Sequence, residues 1–572
     1  MGNALPTGRE PMDLRRALII ALAVGLFFGI YATIPTAPLG KDAPAQTFSA
    51  GRAMDDVRTI AARPHPTGSA ENDVVRAYLQ QRLSSLGMEV RIDQAPVSAA
   101  ALERLNTWSG RGDKAVTLRN VIGILPGRDR SLPAVLLMAH HDTVWGSPGA
   151  ADDTAGVAAC LEVVRAIGAS GQPERDLIVL ITDGEELGLE GAKHFFAANP
   201  LHNRVGAIIN LEARGGGGRA NMFQTSRDNG AAMALYAAAV RRPATSSLAA
   251  FIYSVLPNDT DLTPALKGNH TAYNLAFIGR SGLYHSPLIT PDRLDQGSLQ
   301  DIGDQTLDLT AALLPVHGMP GKAPDRVFFD ALGLVTVHYS VGLGWLIVAA
   351  AIACFAWTLR RDGMRGFGEG VLRLAALVAV AGLLTYALNW VSLGGAAGEY
   401  YDRLAALPRL EVIAALACLG AFAAVLGPWR PPSGGIVGFA TPLLIAGIAG
   451  QAMAPTAIYF VALPLLLVAL ALALPEGLPR TIGLMAAAMA VVSHMVPLGH
   501  FVMQGVGTGM PFAAVLPFTL AAMAILPLWQ AIAPRQARLA AGAAIAVALA
   551  LSLWVQLDAP AATRAVYADN KH

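Results

Sequence analysis

The stretch AHHDTVWGSPGAADDTAG, residues 139–156, places His140, Asp142 and Asp152 within thirteen positions of one another. The apolar run before it, AVLLMA, predicts a buried strand, and the run that ends it, TAGVAACLEVVRAIGA, predicts a helix. Imidazole and carboxylate groups therefore follow the carboxyl end of a strand and precede a helix, which is where open α/β sheets place their sites. Such a set of side chains can hold a metal ion or move protons.

Further polar residues follow other apolar runs. Glu185 and Glu186 come after DLIVLIT, Glu212 comes directly after VGAIINL, and His285 lies in GLYHSP. The set contains imidazole and carboxylate but no thiolate, which suits catalytic zinc and, less well, manganese or cobalt. An aspartate can bridge two ions about 3.5–4 Å apart while a neighbouring glutamate transfers a proton, as in two-metal hydrolases.

Each of these pieces also has an ordinary structural interpretation. A pair of glutamates is most often a solvated helix start, a histidine beside an aspartate is often a satisfied core pair, and Asp152 and Asp153 can cap the helix that follows. Their joint occurrence, in order, at the ends of apolar runs favours a functional site.

The motifs AHHDTV, GAADDTAG, GEELGLEGA, NLEARG and YHSP resemble those of the co-catalytic zinc aminopeptidase and glutamate carboxypeptidase family. The resemblance covers about residues 50–315 and is closest to the endoplasmic-reticulum metallopeptidase branch, which has a multi-span C-terminal region. It implies an α/β zinc-peptidase sandwich with a mostly parallel central sheet. The strands that alternate with helices in this part of the chain favour the same fold class.

By position, the resemblance implies two Zn2+ ions that share one ligand. His140, Asp152 and Glu212 would bind one zinc ion, and Asp152, Glu186 and His285 would bind the other.

The resemblance also implies two residues that act in catalysis. Glu185 would be the general base that takes a proton from the bridging water, and Asp142 would orient His140. Two positions depart from the family pattern. Glu212 stands where many members have Asp, and Asp153 stands where many have Asn, which adds negative charge beside the site.

These features predict a membrane-bound, zinc-dependent exopeptidase, an aminopeptidase by preference, that hydrolyses peptide substrates through a hydroxide held by two zinc ions. Some branches of the family have lost their metals, but all five predicted ligands and the base are present here. Two alternatives are a non-catalytic receptor or scaffold with a peptidase-like binding domain, and a transporter with an attached peptidase domain.

Composition divides the chain into two parts. Of its 572 residues 15% are charged, yet residues 331–557 contain only sixteen charged residues and no lysine. A soluble part and a membrane part therefore share one chain, and contact with membrane lipid is expected. The net charge of +1 gives no reason to expect a nucleic-acid partner. Three scattered cysteines are too few for a disulfide framework or a thiolate metal site.

Hydropathy predicts nine membrane spans. The first is a transmembrane anchor at residues 15–37, favoured over a cleaved signal peptide because no A-x-A-like site follows it. A peptidase domain is expected at 38–325 and an eight-span domain at 326–557, between a cytoplasmic N-terminus at 1–14 and a tail at 558–572. The eight spans are expected near residues 338–358, 371–393, 410–427, 435–453, 456–475, 481–501, 511–532 and 539–557.

Basic residues predict the orientation of these spans. One set of connections carries ten Arg residues, whereas the other short set carries three Arg and one Lys. The positive-inside rule therefore places the N-terminus in the cytoplasm and the peptidase domain on the other side, which is periplasmic or extracellular in a bacterium and lumenal in a eukaryote.

Some other residues have two interpretations each. The segment PHPTGS, residues 64–69, is interpreted as a turn in preference to a substrate contact. Asp259 and Asp261 either line a pocket or cap a helix. His494 and His500 share one predicted span, where hydrogen-bonded neutral histidines are favoured over a transport role.

Overall fold

The computed structural model describes residues 13–394 and 400–557 of the chain. These residues divide into two compact units. The sheet unit contains residues 33–340 and 400–407, and the helical unit contains residues 13–32, 341–394 and 408–557. The predicted tail at 558–572, and all but the last two residues of the predicted cytoplasmic N-terminus, lie outside the described residues.

A mixed sheet with the order β1-β2-β4-β3-β5-β7-β6 forms the centre of the sheet unit. In the described part of the chain its strands are β1 (Glu89–Pro96), β2 (Thr117–Leu125), β3 (Ala134–His140), β4 (Leu177–Thr182), β5 (Val205–Ala213), β6 (Gly217–Thr225) and β7 (Thr271–Gly279). Strands β4, β3, β5 and β7 are parallel neighbours, while β1, β2 and β6 pair antiparallel with their neighbours. The predicted α/β fold with a mostly parallel central sheet is confirmed.

Both faces of the central strands are buried. Val135 and Leu137 of β3 pack in one core layer, whereas Leu136 and Met138 pack in the other. Strands covered on both faces need continuous apolar runs rather than alternating ones, which is the pattern of AVLLMA and LIVLIT. The ends of these strands are therefore fixed by packing on both faces of the sheet.

Helices cover the sheet on both sides. The sheet unit contains α2 (Ala50–Ile60), α3 (Ala70–Ser85), α4 (Ala99–Ser109), α5 (Thr154–Ala169), α6 (Glu190–Ala198), α7 (Gly230–Ala239), α8 (Ser247–Val255), α9 (Leu262–Ala265) and α10 (Gln296–Leu313). Helices α2, α5 and α10 contribute to one core layer, and α6 and α9 contribute to the other. Helix α5 begins at Thr154, as predicted, with Asp153 as its N-cap.

The helical unit consists of long apolar helices. It contains α1 (Leu14–Tyr31), α11 (Val341–Asp362), α12 (Phe367–Leu393), most of α13 (Tyr400–Val425), α14 (Ser433–Met453), α15 (Tyr459–Ala473), α16 (Leu478–Val506), α17 (Val515–Ile525) and α18 (Pro534–Leu557). Within the described residues, eight segments are long and apolar enough to cross a membrane, and α17 is the centre of one, Pro511–Leu528. The predicted region of apolar helices is confirmed.

The helix at the predicted span 456–475 is shorter than the rest. Helix α15 has only 15 residues. Its C-cap, Leu474, precedes Pro475, and proline disfavours helical backbone in the residue before it. It is therefore not among the eight long segments.

Helix α1 packs closely on α16 through two glycines spaced four residues apart. A Cβ added to Gly25 would lie 2.8 Å from the Cβ of Val492, and one added to Gly29 would lie 2.7 Å from the Cβ of Val496. Small residues at this spacing let two membrane helices approach each other closely. These two glycines therefore set how closely α1 approaches α16.

A hairpin follows α10 in the sequence and precedes the apolar helix α11. Its strands are β8 (Arg326–Ala331) and β9 (Val335–Ser340), paired antiparallel. Both strands group with the sheet unit, and the domain boundary expected at residue 325 stays a prediction. The apolar helices begin at Val341.

Candidate metal centre

The carboxyl ends of the parallel strands bring the predicted polar residues to one edge of the sheet. His140 is the last residue of β3, Glu185 follows β4, and Glu212 is the next-to-last residue of β5. Asp152 lies between β3 and α5, and His285 follows β7. Because these strands are parallel, their carboxyl ends meet at the same edge.

One group of candidate ligands consists of His140, Asp152 and Glu212, whose nearest donor atoms lie within 4.8 Å of one another. The Nε2 atom of His140 is 3.1 Å from Oδ1 of Asp152 and 4.0 Å from Oε2 of Glu212. All three side chains are largely buried. Such a converging, water-poor set of nitrogen and oxygen atoms fits a divalent cation.

A second group contains Asp152, Glu186 and His285. The Nε2 atom of His285 is 3.1 Å from Oδ2 of Asp152 and 2.9 Å from Oε1 of Glu186. Each oxygen of Asp152 thus faces a different histidine. The structure therefore brings all five predicted ligands together, with Asp152 between the two groups.

Asp142 connects the first group with the turn after β4. Its carboxylate accepts hydrogen bonds from the backbone N–H groups of Glu185 and Glu186, at 3.0 and 3.2 Å. The Nδ1 atom of His140 lies 2.9 Å from the backbone oxygen of Asp142 and 3.6 Å from its carboxylate. Burial opposes ionisation, but His140 and the backbone donor of Glu185 keep the pKa of the Asp142 carboxyl below its usual value.

Glu185 lies near both groups and is surrounded by other carboxyl groups. Burial raises its pKa well above the usual value, and the nearby carboxylates of Glu212, Glu186 and Asp261 add to this effect, although His140 opposes it. A cation held by the two groups would oppose the rise by stabilising the charged carboxylate. The balance of these effects suits a group that must both accept and release a proton.

Asp153 joins the strand end to the helix start. Its carboxylate accepts one hydrogen bond from the N–H of Gly156, at 3.2 Å, and one from the N–H of His140, at 3.3 Å. The capping interpretation of Asp153 is therefore correct. Asp152, the other residue of the pair, faces the two histidines instead.

A buried network behind the site was not predicted. Asp183 accepts hydrogen bonds from the hydroxyl of Thr67 and the N–H of Arg119, both at 2.8 Å, and its own N–H donates to Asn120 at 3.0 Å. The segment 64–69, interpreted from its prolines and glycine as a turn, thus supports the turn that carries Glu185. Composition indicated the turn but gave no sign of this contact.

Of the residues with two interpretations, Asp261 is buried and accepts a hydrogen bond from the hydroxyl of Thr182. It makes no capping hydrogen bond to α9, and burial raises its pKa to about 6. Asp259 is exposed. In the helical unit, His500 lies 3.1 Å from Glu411, so it has a hydrogen-bond partner.

A sheet of this type with paired imidazole and carboxylate groups at its strand ends is the arrangement of metal-dependent hydrolases. Residues 120–310 match the sequence profile described as Peptidase family M28. The chain therefore contains a peptidase M28 domain.

Several known proteins are similar to this chain. Endoplasmic reticulum metallopeptidase 1 of Mus musculus is 30% identical over 62% of this chain and 42% of its own length. The vacuolar membrane protease of Schizophyllum commune is 31% identical over 56% of this chain and 36% of its own length. The chain thus spans less than half the length of these relatives. Among solved structures, an aminopeptidase from Aneurinibacillus sp. strain AM-1 matches 50% of this chain and 97% of its own, with 15% identity and a TM-score of 0.38.

Proposed function

We propose that this protein is a membrane-bound, zinc-dependent aminopeptidase that hydrolyses peptides on the non-cytoplasmic side of the membrane. The main support is Asp152, whose two oxygens each face a separate pair of one histidine and one glutamate. The match to Peptidase family M28 supports the same reaction class.

The two groups described above would each hold one zinc ion, with Asp152 shared between them. When bound, zinc supplies a Lewis acid that polarises the scissile carbonyl and makes a nearby water easier to deprotonate. Glu185 takes the proton from the attacking water and delivers it to the leaving amine. Asp142 contacts both the ring of His140 and the backbone N–H of Glu185. It therefore fixes the position of the base relative to the ligand.

The charge of the site supports recognition of a peptide amino terminus. Carboxylates from six residues lie at or beside the two groups, namely Asp142, Asp152, Asp153, Glu185, Glu186 and Glu212. With all six ionised, two zinc ions would balance four of the six negative charges. Such a site attracts a cationic α-amino group and repels a carboxyl terminus.

The decisive experiment is Glu185→Gln in the full-length protein. We expect zinc content to stay at the wild-type value while peptide hydrolysis falls by about 100-fold or more, because the proton carrier is lost but the ligands are not. Glu103→Gln, an exposed glutamate on α4, is the matched control. A wild-type protein that binds no zinc and cleaves no peptide would favour the scaffold interpretation.

A second measurement tests which end of the peptide is recognised. We expect a peptide with a free amino terminus to lose residues stepwise from that end, and its N-acetylated form to resist cleavage. Release of residues from the carboxyl terminus would contradict the aminopeptidase assignment without affecting the hydrolase assignment.

A further inference from the structure

The first two turns of α13 belong to the sheet unit, although the rest of this helix lies in the helical unit. Tyr401 is 2% exposed and Leu404 is fully buried. Both pack against Tyr284, the residue before His285. A segment from the C-terminal part of the chain, far outside the M28 match at residues 120–310, therefore lies against the loop of a candidate zinc ligand.

Tyr401 makes a polar contact with that ligand. Its hydroxyl lies 2.9 Å from Nδ1 of His285, while Nε2 of the same ring faces Asp152 and Glu186. A histidine that binds a metal through Nε2 carries its proton on Nδ1, where a hydrogen-bond acceptor fixes the tautomer and the ring orientation. The hydroxyl oxygen of Tyr401 is placed to be this acceptor.

The loop that carries His285 has an unusual backbone conformation. His285 has a positive φ of 55°, which is uncommon for a residue with a side chain. Its ring stacks on that of Tyr284 with centroids 3.7 Å apart, and Tyr284 in turn packs with Tyr401 and Leu404. The orientation of the imidazole therefore depends on groups outside its own loop.

The start of α13 packs closely against the loop that carries His285. A Cβ added to Gly282 would lie 2.6 Å from the Cα of Ala405, so only glycine allows the approach. The guanidinium of Arg214 contacts the hydroxyl of Tyr400 and lies 5.8 Å from the centroid of its ring. Contacts on both sides of Tyr401 thus determine where its hydroxyl lies.

We propose that Tyr401 is a positioning residue for His285, so that the zinc group of Asp152, Glu186 and His285 is completed by a segment that lies outside the M28 match. This inference rests on the proposed function, because it assumes that His285 binds zinc. It implies that the two zinc ions differ in their dependence on α13: the group containing His140 does not need Tyr401.

The test is Tyr401→Phe in the full-length, detergent-solubilised protein, titrated with zinc chloride against a chromophoric chelator. We expect the affinity for one zinc ion to fall by about 10- to 100-fold, the usual effect of losing a hydrogen bond to a metal-binding histidine, and the other to be unchanged. The visible spectrum of the cobalt-loaded protein should change for one ion only. Tyr386→Phe, a tyrosine that is 64% exposed, is the matched control and should behave as wild type.

The outcomes separate this inference from the proposed function. A wild-type protein that binds no zinc would overturn both. Two zinc ions in the wild type with unchanged affinities and cobalt spectrum in Tyr401→Phe would overturn the positioning role alone. A lower unfolding temperature of the zinc-free variant with unchanged zinc affinities would also overturn it, because Tyr401 would then act only in packing.

Discussion

Asp142 contacts both a candidate ligand, His140, and the backbone of the proposed base, Glu185. We expect Asp142→Asn to lower kcat/KM by about 10- to 100-fold. The amide keeps one acceptor but turns its NH2 group towards a backbone N–H that now has no acceptor. Peptide hydrolysis at saturating zinc measures this effect, and unchanged kinetics would show that Asp142 does not hold the base.

Several candidate ligands could be expected to lie close together because they follow apolar runs, whereas their division into two zinc groups is what the family resemblance implies. His140, Glu186 and Glu212 each follow or end a buried strand, so the sheet topology brings them together without help from detailed packing. Tyr401 could not be predicted in this way. It is 116 residues from His285 and begins an apolar helix, where a tyrosine is ordinary.

Gly156 leaves room for the carboxylate that caps the start of helix α5. A Cβ at this position would lie 2.4 Å from Oδ1 of Asp153, which caps the helix. We therefore expect Gly156→Ala to break the cap and to lower the free energy of unfolding by about 0.5–2 kcal/mol. Thermal unfolding of the zinc-free protein measures the loss.

A matched control lies in the same helix. Gly168 has open space around its missing Cβ and is exposed. Gly168→Ala should raise stability by up to about 1 kcal/mol, because alanine loses less entropy in a helix than glycine does. A similar loss of stability in both variants would contradict the cap argument.

Helix α10 carries a carboxyl group that makes stability depend on pH. Burial raises the pKa of Asp304 to about 6, with Asp308 and Asp301 adding to the rise and Gln300 and Arg241 opposing it. In an unfolded chain an aspartate has a pKa of about 3.9. The folded state therefore binds the proton more tightly, and the stability that this provides is complete below about pH 4 and is lost as the pH rises through 6.

The raised pKa of Asp304 predicts how the stability of Asp304→Asn depends on pH. The variant has no charge to bury, so its unfolding temperature should exceed that of the wild type at pH 7.5. The difference should shrink as the pH falls towards 5. Differential scanning calorimetry at both pH values measures it, and an equal difference at the two values would contradict the shifted pKa.

At the level of elements, hydropathy located the apolar helices but not their lengths or their neighbours. Helix α15 ends just before Pro475, a boundary that a window average smooths over. The hairpin of β8 and β9 was missed because strands of six residues next to a long apolar run give little periodic signal.

For the whole molecule, the distribution of Arg and Lys predicts which parts of the chain face the cytoplasm. Ser84 in α3 and Arg430 between α13 and α14 are both exposed. In intact bacterial cells that express the protein, we expect a membrane-impermeant maleimide to label Ser84→Cys but to label Arg430→Cys only after permeabilisation. The wild type, whose cysteines are buried or half-buried, gives the background. The reverse labelling pattern would invert the proposed orientation.

The glycine contact between α1 and α16 has a consequence for biogenesis. Helix α1 ends at Tyr31, whereas α16 begins only at Leu478, so α1 leaves the ribosome long before its partner. At about 5–20 residues per second, translation leaves α1 without this partner for roughly 20–90 s. We expect the insertion machinery to hold the helix during that interval, and ribosome-stalled chains that end before α16 to expose its glycine face to crosslinking.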